Sequence, residues 1–425
     1  CPSSESHARA ASPAHGGDWR SPADNPFRPG TRRRAAGGRG GGHPGTERSR
    51  PAMRQKARKL GVVGMGEGRS VLAACQTSDH WEATGICDLD EALCRARCEE
   101  FGLDPSIIHG DYADLLADDR IDAIAIYTPD PLHARHTREA LEAGKHVICT
   151  KPLFPGLGEA AGVLEAARRT GRQVLVGQST RFGEPMLQQR ADFEAGKLGD
   201  LLSVEAHYVH DHRSYMRKDW ARGGGIDWVF CGLSHPVDLV RWYLRDIEEV
   251  FGYGTRSPAS REAGLAGNDT LHCVLASASG VVARVSGVYG APELPARAER
   301  IGTCTLRGTH GSSQANYPQL DYFLNEGKDG KPYRETHREN TGRYSHYYRF
   351  EGFQHHAGEF QNYLDHFARA LDAGRVASPD LAEGIGTVAV MAALRRSIET
   401  RQPIRPADLL AGNGLPETPP GGGPW

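Results

Sequence analysis

Three closely spaced glycines and one aspartate form the clearest chemical pattern in this chain. Gly64, Gly66 and Gly68 directly follow the apolar run 60–63, and Asp88 lies 24 residues after Gly64. Glycines let the backbone approach a pyrophosphate closely, and the N-terminus of the following helix offers free N–H groups. The Asp88 carboxylate is spaced to bind an adenosine ribose. This segment predicts dinucleotide binding, with an ordinary strand–helix turn as the alternative.

Arg69 stands where the G-x-G-x-x-G pattern would place its third glycine, and Gly68 comes one residue early. Arg69 is therefore expected either to reach the pyrophosphate or to remain a solvated residue of the first helical turn. An NADP 2′-phosphate about 4 Å from Asp88 would meet roughly 4 kcal/mol of repulsion per unit-charge pair at an effective dielectric near 20. We therefore predict NAD as the cofactor, unless Arg69 or Arg95 compensates.

Two further turns are expected at the same sheet edge, because ligands bind beyond the carboxyl ends of parallel strands. Thr128 and Pro129 end one predicted strand, and the Thr128 hydroxyl is suited to hydrogen-bond a cofactor. His133 falls in the first turn of the next helix, where it either faces the cofactor or merely caps the helix. Lys151 ends another strand and is followed by a proline. A cation in that position is better explained by function than by solubility.

A histidine-rich segment in the second half raises the question of a metal site. On a strand, His210 and His212 share one face, whereas His207 and Asp211 share the other. Two ligands on one face do not make a zinc site, so we expect no metal. Contacts to substrate hydroxyls are the preferred interpretation for His210, His212, Arg213, and Arg181 in the preceding segment 178–182.

Alternating strands and helices are predicted to position the glycine, threonine and lysine turns. Such alternation is typical of a doubly wound parallel sheet, and it extends to about residue 178. The strands are predicted at 60–63, 107–108, 121–127, 145–149 and 173–176, with a further strand ending at Asp88. The helices are predicted at 71–77, 89–101, 112–116, 131–143 and 157–170.

Beyond residue 178 the strands are grouped rather than alternating with helices. This pattern predicts an α+β domain on a mostly antiparallel open sheet, so the fold class is α/β with a Rossmann domain first. Strands are predicted at 202–212, 249–255, 270–278, 281–289 and 301–307, and helices at 229–244, 357–373 and 381–400. His235 and Asp238, three residues apart, share one face of the first of these helices.

Composition limits the classes of partner and compartment. A net charge of −2 gives no electrostatic reason to bind nucleic acid or an anionic membrane, and no apolar run of about 18 residues predicts a membrane span. The nine cysteines are odd in number and contain no C-x-x-C pair. Reduced thiols in a cytoplasmic protein are therefore expected.

The chain divides into four predicted parts. Residues 1–55 are rich in Gly, Pro, Ser and Arg without apolar periodicity, which predicts a disordered leader. Residues 56–178 are the predicted NAD-binding domain, 179–410 the substrate and oligomerisation domain, and 411–425 a disordered tail. We also expect a chain that begins at Met53 to fold without the leader.

Several segments resemble the glucose–fructose oxidoreductase/inositol dehydrogenase (Gfo/Idh/MocA) family over roughly residues 58–405. The resemblance rests on GVVGMGEG, TPDPLHARHTREALEAGKHVICTKP, VGQSTRF, GKLGDLLSVEAHY, GLSHPVDLVRWYL and RGTHGSS. It implies a Rossmann domain, a second α/β domain whose open sheet serves homo-oligomer contacts, and NAD(P)-linked hydride transfer on sugars, polyols or related carbonyls.

The resemblance also implies roles for individual residues. Lys151 matches the lysine of the family's E-K-P motif, which touches the nicotinamide ribose and the substrate, although Thr150 replaces the glutamate. His235 matches the family's acid/base histidine. The aspartate expected four residues before it is Cys231, and Asp227 is the candidate for the missing carboxylate. Histidine accepts a hydroxyl proton near neutral pH, and a lysine ammonium stabilises the alkoxide that forms.

Three functions are compatible with these residues. The preferred one is an NAD-dependent dehydrogenase or reductase acting on a carbohydrate-like small molecule, with Lys151 and His235 as the acid/base pair. An NAD-retaining enzyme that cleaves glycosides without net redox change is an alternative. A non-catalytic sugar- or nucleotide-sensing regulator is another, favoured by the cysteine at position 231.

Overall fold

The structure is a computed structural model that describes residues 57–218, 221, 226–295, 298–318, 320–327, 333–337, 356, 358–416 and 419. Of residues 333–337 only the backbone is described. The predictions made for the leader, for most of the tail and for a chain start at Met53 lie outside these residues. In the described part of the chain, no helix is both long and apolar enough to cross a membrane.

A five-stranded parallel sheet with the order β2-β1-β3-β4-β5 confirms the predicted doubly wound architecture. The strands are β1 (Arg58–Val63), β2 (Trp81–Cys87), β3 (Ala123–Ile126), β4 (His146–Thr150) and β5 (Val174–Gly177). The central strand β3 and the edge strand β5 are apolar and buried at every position, as expected of a sheet covered on both faces. All four pairings are parallel, so the carboxyl ends of the strands line one edge.

The helices of this half follow the predicted alternation. They are α1 (Arg69–Cys75), α2 (Glu91–Phe101), α3 (Tyr112–Ala117), α4 (His133–Glu142) and α5 (Ala160–Thr170). The strand predicted at 107–108 is wrong: Pro105–Ile107 form a single 3-10 turn, and only Ile108 makes a bridge, to Ile86. Asp104 caps this turn by accepting a hydrogen bond from the Ser106 N–H, which explains why the chain bends there.

An eight-stranded sheet with the order β13-β12-β11-β10-β6-β9-β8-β7 forms the second half. Its neighbours are antiparallel except for β6 and β9, so the predicted mostly antiparallel sheet is confirmed. The strands are β6 (Leu201–Val209), β7 (Ile247–Thr255), β8 (Thr270–Ser277), β9 (Val282–Val288), β10 (Gly302–Gly308), β11 (Gly311–Tyr317), β12 (Tyr322–Glu326) and β13 (Tyr333–His337).

The helix predicted over residues 229–244 is interrupted. Gly232 lies at the break, and a Cβ atom there would come within 2.2 Å of the Tyr289 ring. The Tyr289 ring thus occupies the space that a side chain at position 232 would need. The helices of this half are α6 (Glu184–Glu194), α7 (Arg213–Met216), α8 (Trp228–Cys231), α9 (Ser234–Tyr243), α10 (Pro258–Glu262), α11 (Glu359–Asp372), α12 (Leu381–Thr400) and α13 (Pro406–Gly412).

Helix α11 comes late in the chain but packs beside the first sheet. The Trp81 indole N–H donates to the Leu364 carbonyl at 2.6 Å, and the Ser78 hydroxyl donates to Asp365 at 2.5 Å. The hydroxyl groups of Tyr127 and Tyr363 are also hydrogen-bonded. Aromatic and leucine side chains of α11 share one buried apolar cluster with β1 and β2. The parallel sheet therefore depends on a helix from near the end of the chain.

Gly64 and Gly66 offer a matched test of the glycine turn. Gly64 has φ of +90°, and a Cβ there would lie 2.4 Å from the Tyr127 carbonyl oxygen, whereas a Cβ at Gly66 meets nothing within 4 Å. We expect Gly64→Ala to lower the free energy of unfolding by about 3 kcal/mol and Gly66→Ala by less than about 1 kcal/mol. Urea denaturation measures both. Equal losses in the two variants would contradict this account of the turn.

Candidate active site

The glycine turn after β1 brings a strand and a helix into close contact without the expected third glycine. A Cβ at Gly68 would lie 2.3 Å from the Gly64 carbonyl oxygen and 3.0 Å from Cγ1 of Val62. Gly68 therefore provides the close strand–helix contact that the third glycine normally gives. Gly66 instead borders open space, where a pyrophosphate has room to approach the backbone. The residues present thus suit a dinucleotide.

Asp88 lies directly beside this turn. Its Oδ2 atom accepts a hydrogen bond from the Met65 N–H at 2.6 Å, which fixes the carboxylate against the turn. Arg69 does not extend over the turn, because its guanidinium donates at 2.6 Å to Glu100 on α2. Burial alone would raise the pKa of Glu100, but Arg69 and Arg97 outweigh burial and lower it. The structure therefore shows Arg69 in an ion pair with Glu100, which differs from both predicted interpretations, a phosphate contact and a solvated residue.

The turns after β3 and β4 meet at a buried histidine. His133 is completely buried, and its Nδ1 and Nε2 atoms each lie 2.7 Å from a carbonyl oxygen, that of Pro152 and that of Thr128. The Thr128 hydroxyl lies 3.1 Å from Nδ1 of His136. Both ring nitrogens of His133 therefore contact the two turns, and neither is presented to a ligand. Pro129 is exposed beside Thr128.

Lys151 lies at the end of β4 and points toward the break between α8 and α9. Its Nζ donates to the Cys231 carbonyl oxygen at 3.2 Å and lies 3.8 Å from the Cys231 sulfur. Burial alone would lower the pKa of Lys151, but the neighbouring acidic groups, Cys231 first and then Asp130 and nearby tyrosines, outweigh burial and raise it. Burial raises the pKa of the Cys231 thiol, against the opposing effect of Lys151. At neutral pH we therefore treat Lys151 as an ammonium and Cys231 as a thiol.

His235, at the start of α9, lies in the same group of side chains. Its Nδ1 atom is 2.9 Å from the Thr180 hydroxyl, and its ring is 5.1 Å from the ring of Tyr208. Burial lowers the pKa of His235 well below its usual value, and the charge of Lys151 lowers it further. Burial raises the pKa of Tyr208 to about 12, with Lys151 opposing. A neutral imidazole and an ammonium thus lie within electrostatic reach of each other.

Arg181, predicted as a substrate contact, belongs instead to a buried ion network. It is 2% exposed and donates to both carboxylate oxygens of Asp238, at 2.6 and 2.7 Å, and to Glu383 at 2.8 Å. Arg241 donates to the Glu383 carbonyl and the Thr387 hydroxyl, each at 2.7 Å. A side chain engaged in this way holds α9 and α12 to the turn after β5, and contact with a ligand would require these bonds to break.

The predicted substrate residues after β6 have protein partners. His210 contacts Glu293, and Arg213 donates to Asp211 at 2.6 and 2.8 Å, which lowers the pKa of Asp211 to about 2. His212 stacks on Trp228 with ring centroids 5.2 Å apart. Within the described part of the chain, no group of three histidine, cysteine or acidic side chains is arranged to hold a metal ion.

Asp227 acts as a helix cap in the structure. Its Oδ1 atom accepts from the Val229 N–H at 3.0 Å, and its Oδ2 atom lies 3.3 Å from Arg395. Within the residues that the structure describes, no carboxylate forms an ion pair with Lys151. Asp227 is therefore near the site without replacing the carboxylate that the family resemblance implies.

Sequence reasoning missed several members of the site. Thr180 lies beside Arg181 in the segment after β5, and Tyr208 has the same strand parity as His210 and His212. This parity was a usable signal for Tyr208. Burial raises the pKa of Tyr215, and the charge of Lys151 opposes this shift. No sequence pattern indicated Tyr215, because it lies in the four-residue helix α7.

Comparison with known proteins yields a consistent result. Residues 58–178 match the model of an oxidoreductase family with an NAD-binding Rossmann fold, and residues 190–405 match that family's C-terminal alpha/beta domain. D-xylose 1-dehydrogenase (NADP(+)) 2 of Haloferax volcanii is 30% identical over 350 residues, which are 80% of this chain and 96% of that protein. Inositol 2-dehydrogenase 1 of Saccharopolyspora erythraea is 26% identical over 350 residues, which are 81% of this chain and 93% of that protein.

A solved structure supports the fold. Levoglucosan dehydrogenase in complex with NADH and levoglucosan superposes with a TM-score of 0.70 at 20% sequence identity. The superposition covers 82% of this chain and 99% of that one. At this identity the likeness is one of architecture.

Proposed function

Since the chain belongs to the Gfo/Idh/MocA oxidoreductase family, we propose that it transfers a hydride between NAD and the carbinol carbon of a sugar, polyol or related compound. One observation carries the proposal: Lys151, at the sheet edge that also carries the glycine turn, lies close enough to His235 for its charge to lower the pKa of that histidine. The relatives from Haloferax volcanii and Saccharopolyspora erythraea are named as dehydrogenases of xylose and inositol, which supports a carbohydrate-like substrate.

The opposite pKa shifts of Lys151 and His235 support separate roles. The pKa of Lys151 is raised, so its ammonium persists and stabilises the developing alkoxide. The pKa of His235 is lowered, so its imidazole is neutral and free to accept the hydroxyl proton. In the tautomer in which Nδ1–H of His235 donates to the Thr180 hydroxyl oxygen, Nε2 carries the lone pair that accepts that proton. The hydride that leaves the same carbon goes to C4 of the nicotinamide, which is the chemistry the coenzyme supplies when bound.

Cys231 modifies this arrangement. A carboxylate beside Lys151 would neutralise part of the ammonium charge, whereas the thiol and carbonyl of Cys231 leave it available to an alkoxide. The pair Lys151 and Cys231 shares one low-dielectric site, so its protons titrate jointly. A cysteine at position 231 is therefore compatible with catalysis, and this favours the dehydrogenase over the non-catalytic regulator.

NAD is the coenzyme we propose. The Asp88 carboxylate is fixed beside the glycine turn, and Arg69, one of the two candidates to offset a 2′-phosphate, pairs with Glu100. Arg95, the other candidate, pairs with Glu91 at 2.5 Å. The Haloferax relative is named for NADP(+), so the preference is a property to be measured in this chain.

We propose that the open face of the second sheet joins copies of this chain into a homo-oligomer. Tyr253, Val274 and Val282 lie on one face of β7, β8 and β9 and are 55%, 48% and 50% exposed. An uncovered face with these apolar side chains is typical of an interface. The eight described cysteines are all free, which supports the proposal of a cytoplasmic protein.

Lys151→Met and His235→Asn test the reaction. Each is expected to lower kcat/KM by about 100- to 10,000-fold, because one loses alkoxide stabilisation and the other the proton acceptor. NADH absorbance with a panel of sugars and polyols measures turnover, and His310→Asn, in the exposed turn between β10 and β11, is the control. Glycoside cleavage without net NADH would favour the NAD-retaining alternative, and thermal stabilisation without turnover the regulator. Intact turnover in both variants would refute the assigned site.

Asp88→Asn tests the coenzyme preference. The wild-type protein is expected to bind NAD at least about 100-fold more tightly than NADP, and the variant to lose most of this difference. Calorimetric titration with both nucleotides gives the ratio. Asp90→Asn removes a neighbouring carboxylate that caps α2, and it should keep the wild-type ratio. Similar wild-type affinities for NAD and NADP would exclude the preference.

Val274→Glu and Val282→Glu, combined in one chain, test the oligomer. Burying two carboxylates in an apolar interface is unfavourable, so the assembly is expected to dissociate into single chains. Sedimentation velocity reports the mass. Val376→Glu changes an exposed valine outside the sheet and should not alter the mass. A wild-type protein that sediments as a single chain would rule out the proposal.

A further inference from the structure

His133 makes an arrangement that the proposed reaction does not use. Both of its ring nitrogens lie 2.7 Å from backbone carbonyl oxygens, one belonging to Thr128 and the other to Pro152. Thr128 follows β3, and Pro152 is the residue after Lys151 at the end of β4. The ring therefore spans the two turns that carry the predicted coenzyme and substrate contacts of this sheet edge.

The chemistry of these two carbonyl groups determines how many protons the imidazole ring of His133 carries. A carbonyl oxygen only accepts hydrogen bonds, so each ring nitrogen must carry a hydrogen to make a bond at this distance. A neutral imidazole has one N–H and would leave one carbonyl facing a lone pair inside the protein. His133 is completely buried, so water does not relieve such a contact. The two bonds together require an imidazolium.

We infer that His133 is a doubly protonated clamp that holds the turn after β3 to the turn after β4, and so positions Thr128 and Lys151. It is a positioning residue, because its ring reaches the ligand only through these two backbone segments. The clamp itself is a property of the folded chain. Its effect on coenzyme affinity rests on the proposed function.

The charged and titratable groups around the ring come from three elements. Cys149 on β4 and Asp130 in the 3-10 turn before α4 favour the imidazolium, as does the Pro152 carbonyl, whereas burial opposes it. His136 on α4 is also near the ring, and the charge of His133 contributes to lowering the pKa of His136. Burial alone would lower the pKa of His133, yet the other groups raise it to about 9. His136, one turn along the same helix, is the contrasting case, because burial lowers its pKa to about 4.

The direction of the pH effect follows from these pKa values. A histidine in the unfolded chain has a pKa near 6.5, below the folded value of about 9. The stabilisation by the imidazolium is therefore fully present below about pH 6.5 and is lost as the pH rises through about 9. Above that pH, one carbonyl loses its donor and the two turns are no longer tied together.

Imidazole nitrogen spectra of the full chain labelled with 15N-histidine test the clamp directly. At pH 7 both ring nitrogens of His133 should have protonated chemical shifts, and His133→Gln identifies their signals by loss. His133→Asn serves the same purpose if the glutamine variant does not fold. A ring nitrogen of His133 that is unprotonated at pH 7 would overturn the inference, whether or not the protein binds coenzyme.

NADH affinity against pH tests the consequence. In the wild-type protein, the Kd is expected to rise about tenfold between pH 7 and pH 10, while His133→Gln is already weak at pH 7 and shows no further rise. His136→Gln is the matched control and should retain the wild-type rise, since His136 is neutral throughout this range. A wild-type Kd that stays constant would overturn the positioning role. Absence of NADH binding at every pH, with the imidazolium present, would instead count against the proposed function.

Discussion

The parallel pairing of the first sheet is the constraint on which the rest of the site depends. Because all of its neighbouring strands run in one direction, the turns that follow β1, β3, β4 and β5 emerge at a single edge. Those turns carry the open glycine position, Thr128, Lys151 and Thr180. Residues more than 100 positions apart in the chain thereby become neighbours, and no long loop is needed to bring them together.

A buried ion network extends this order into the second half of the molecule. Arg181 follows Thr180 directly, and its bonds to Asp238 and Glu383 hold two helices against the last turn of the parallel sheet. His235 and Asp238 lie on one face of α9, so fixing the carboxylate also fixes the imidazole beside Thr180. Removing one partner from such a network is costly, because the remaining charges are left buried. The position of His235 is thus supported by ion pairs that are buried within the protein.

Local patterns predicted the parallel sheet well and the second sheet less completely. Short apolar strands, the glycine turn and the amphipathic helices are encoded within a few residues, so their spacing was informative. Strands β11 to β13 were missed because GSSQANY and its neighbours lack an apolar alternation. The break at Gly232 depends on a tyrosine 57 residues later, and the ion pairs of Arg181 depend on two distant carboxylates. Side-chain partners of this kind are set by tertiary packing, which a single sequence does not display.

The packing of α11 on the first sheet has a consequence for biosynthesis. The indole of Trp81 and its acceptor at Leu364 are separated by 283 residues. A ribosome adds about 5 to 20 residues per second, so Trp81 is synthesised roughly 15 to 60 seconds before its acceptor on α11. During that interval the apolar side chains around β1 and β2 are open to chaperones and to other unfinished chains. The parallel sheet is therefore made first but is covered only after α11 has been synthesised.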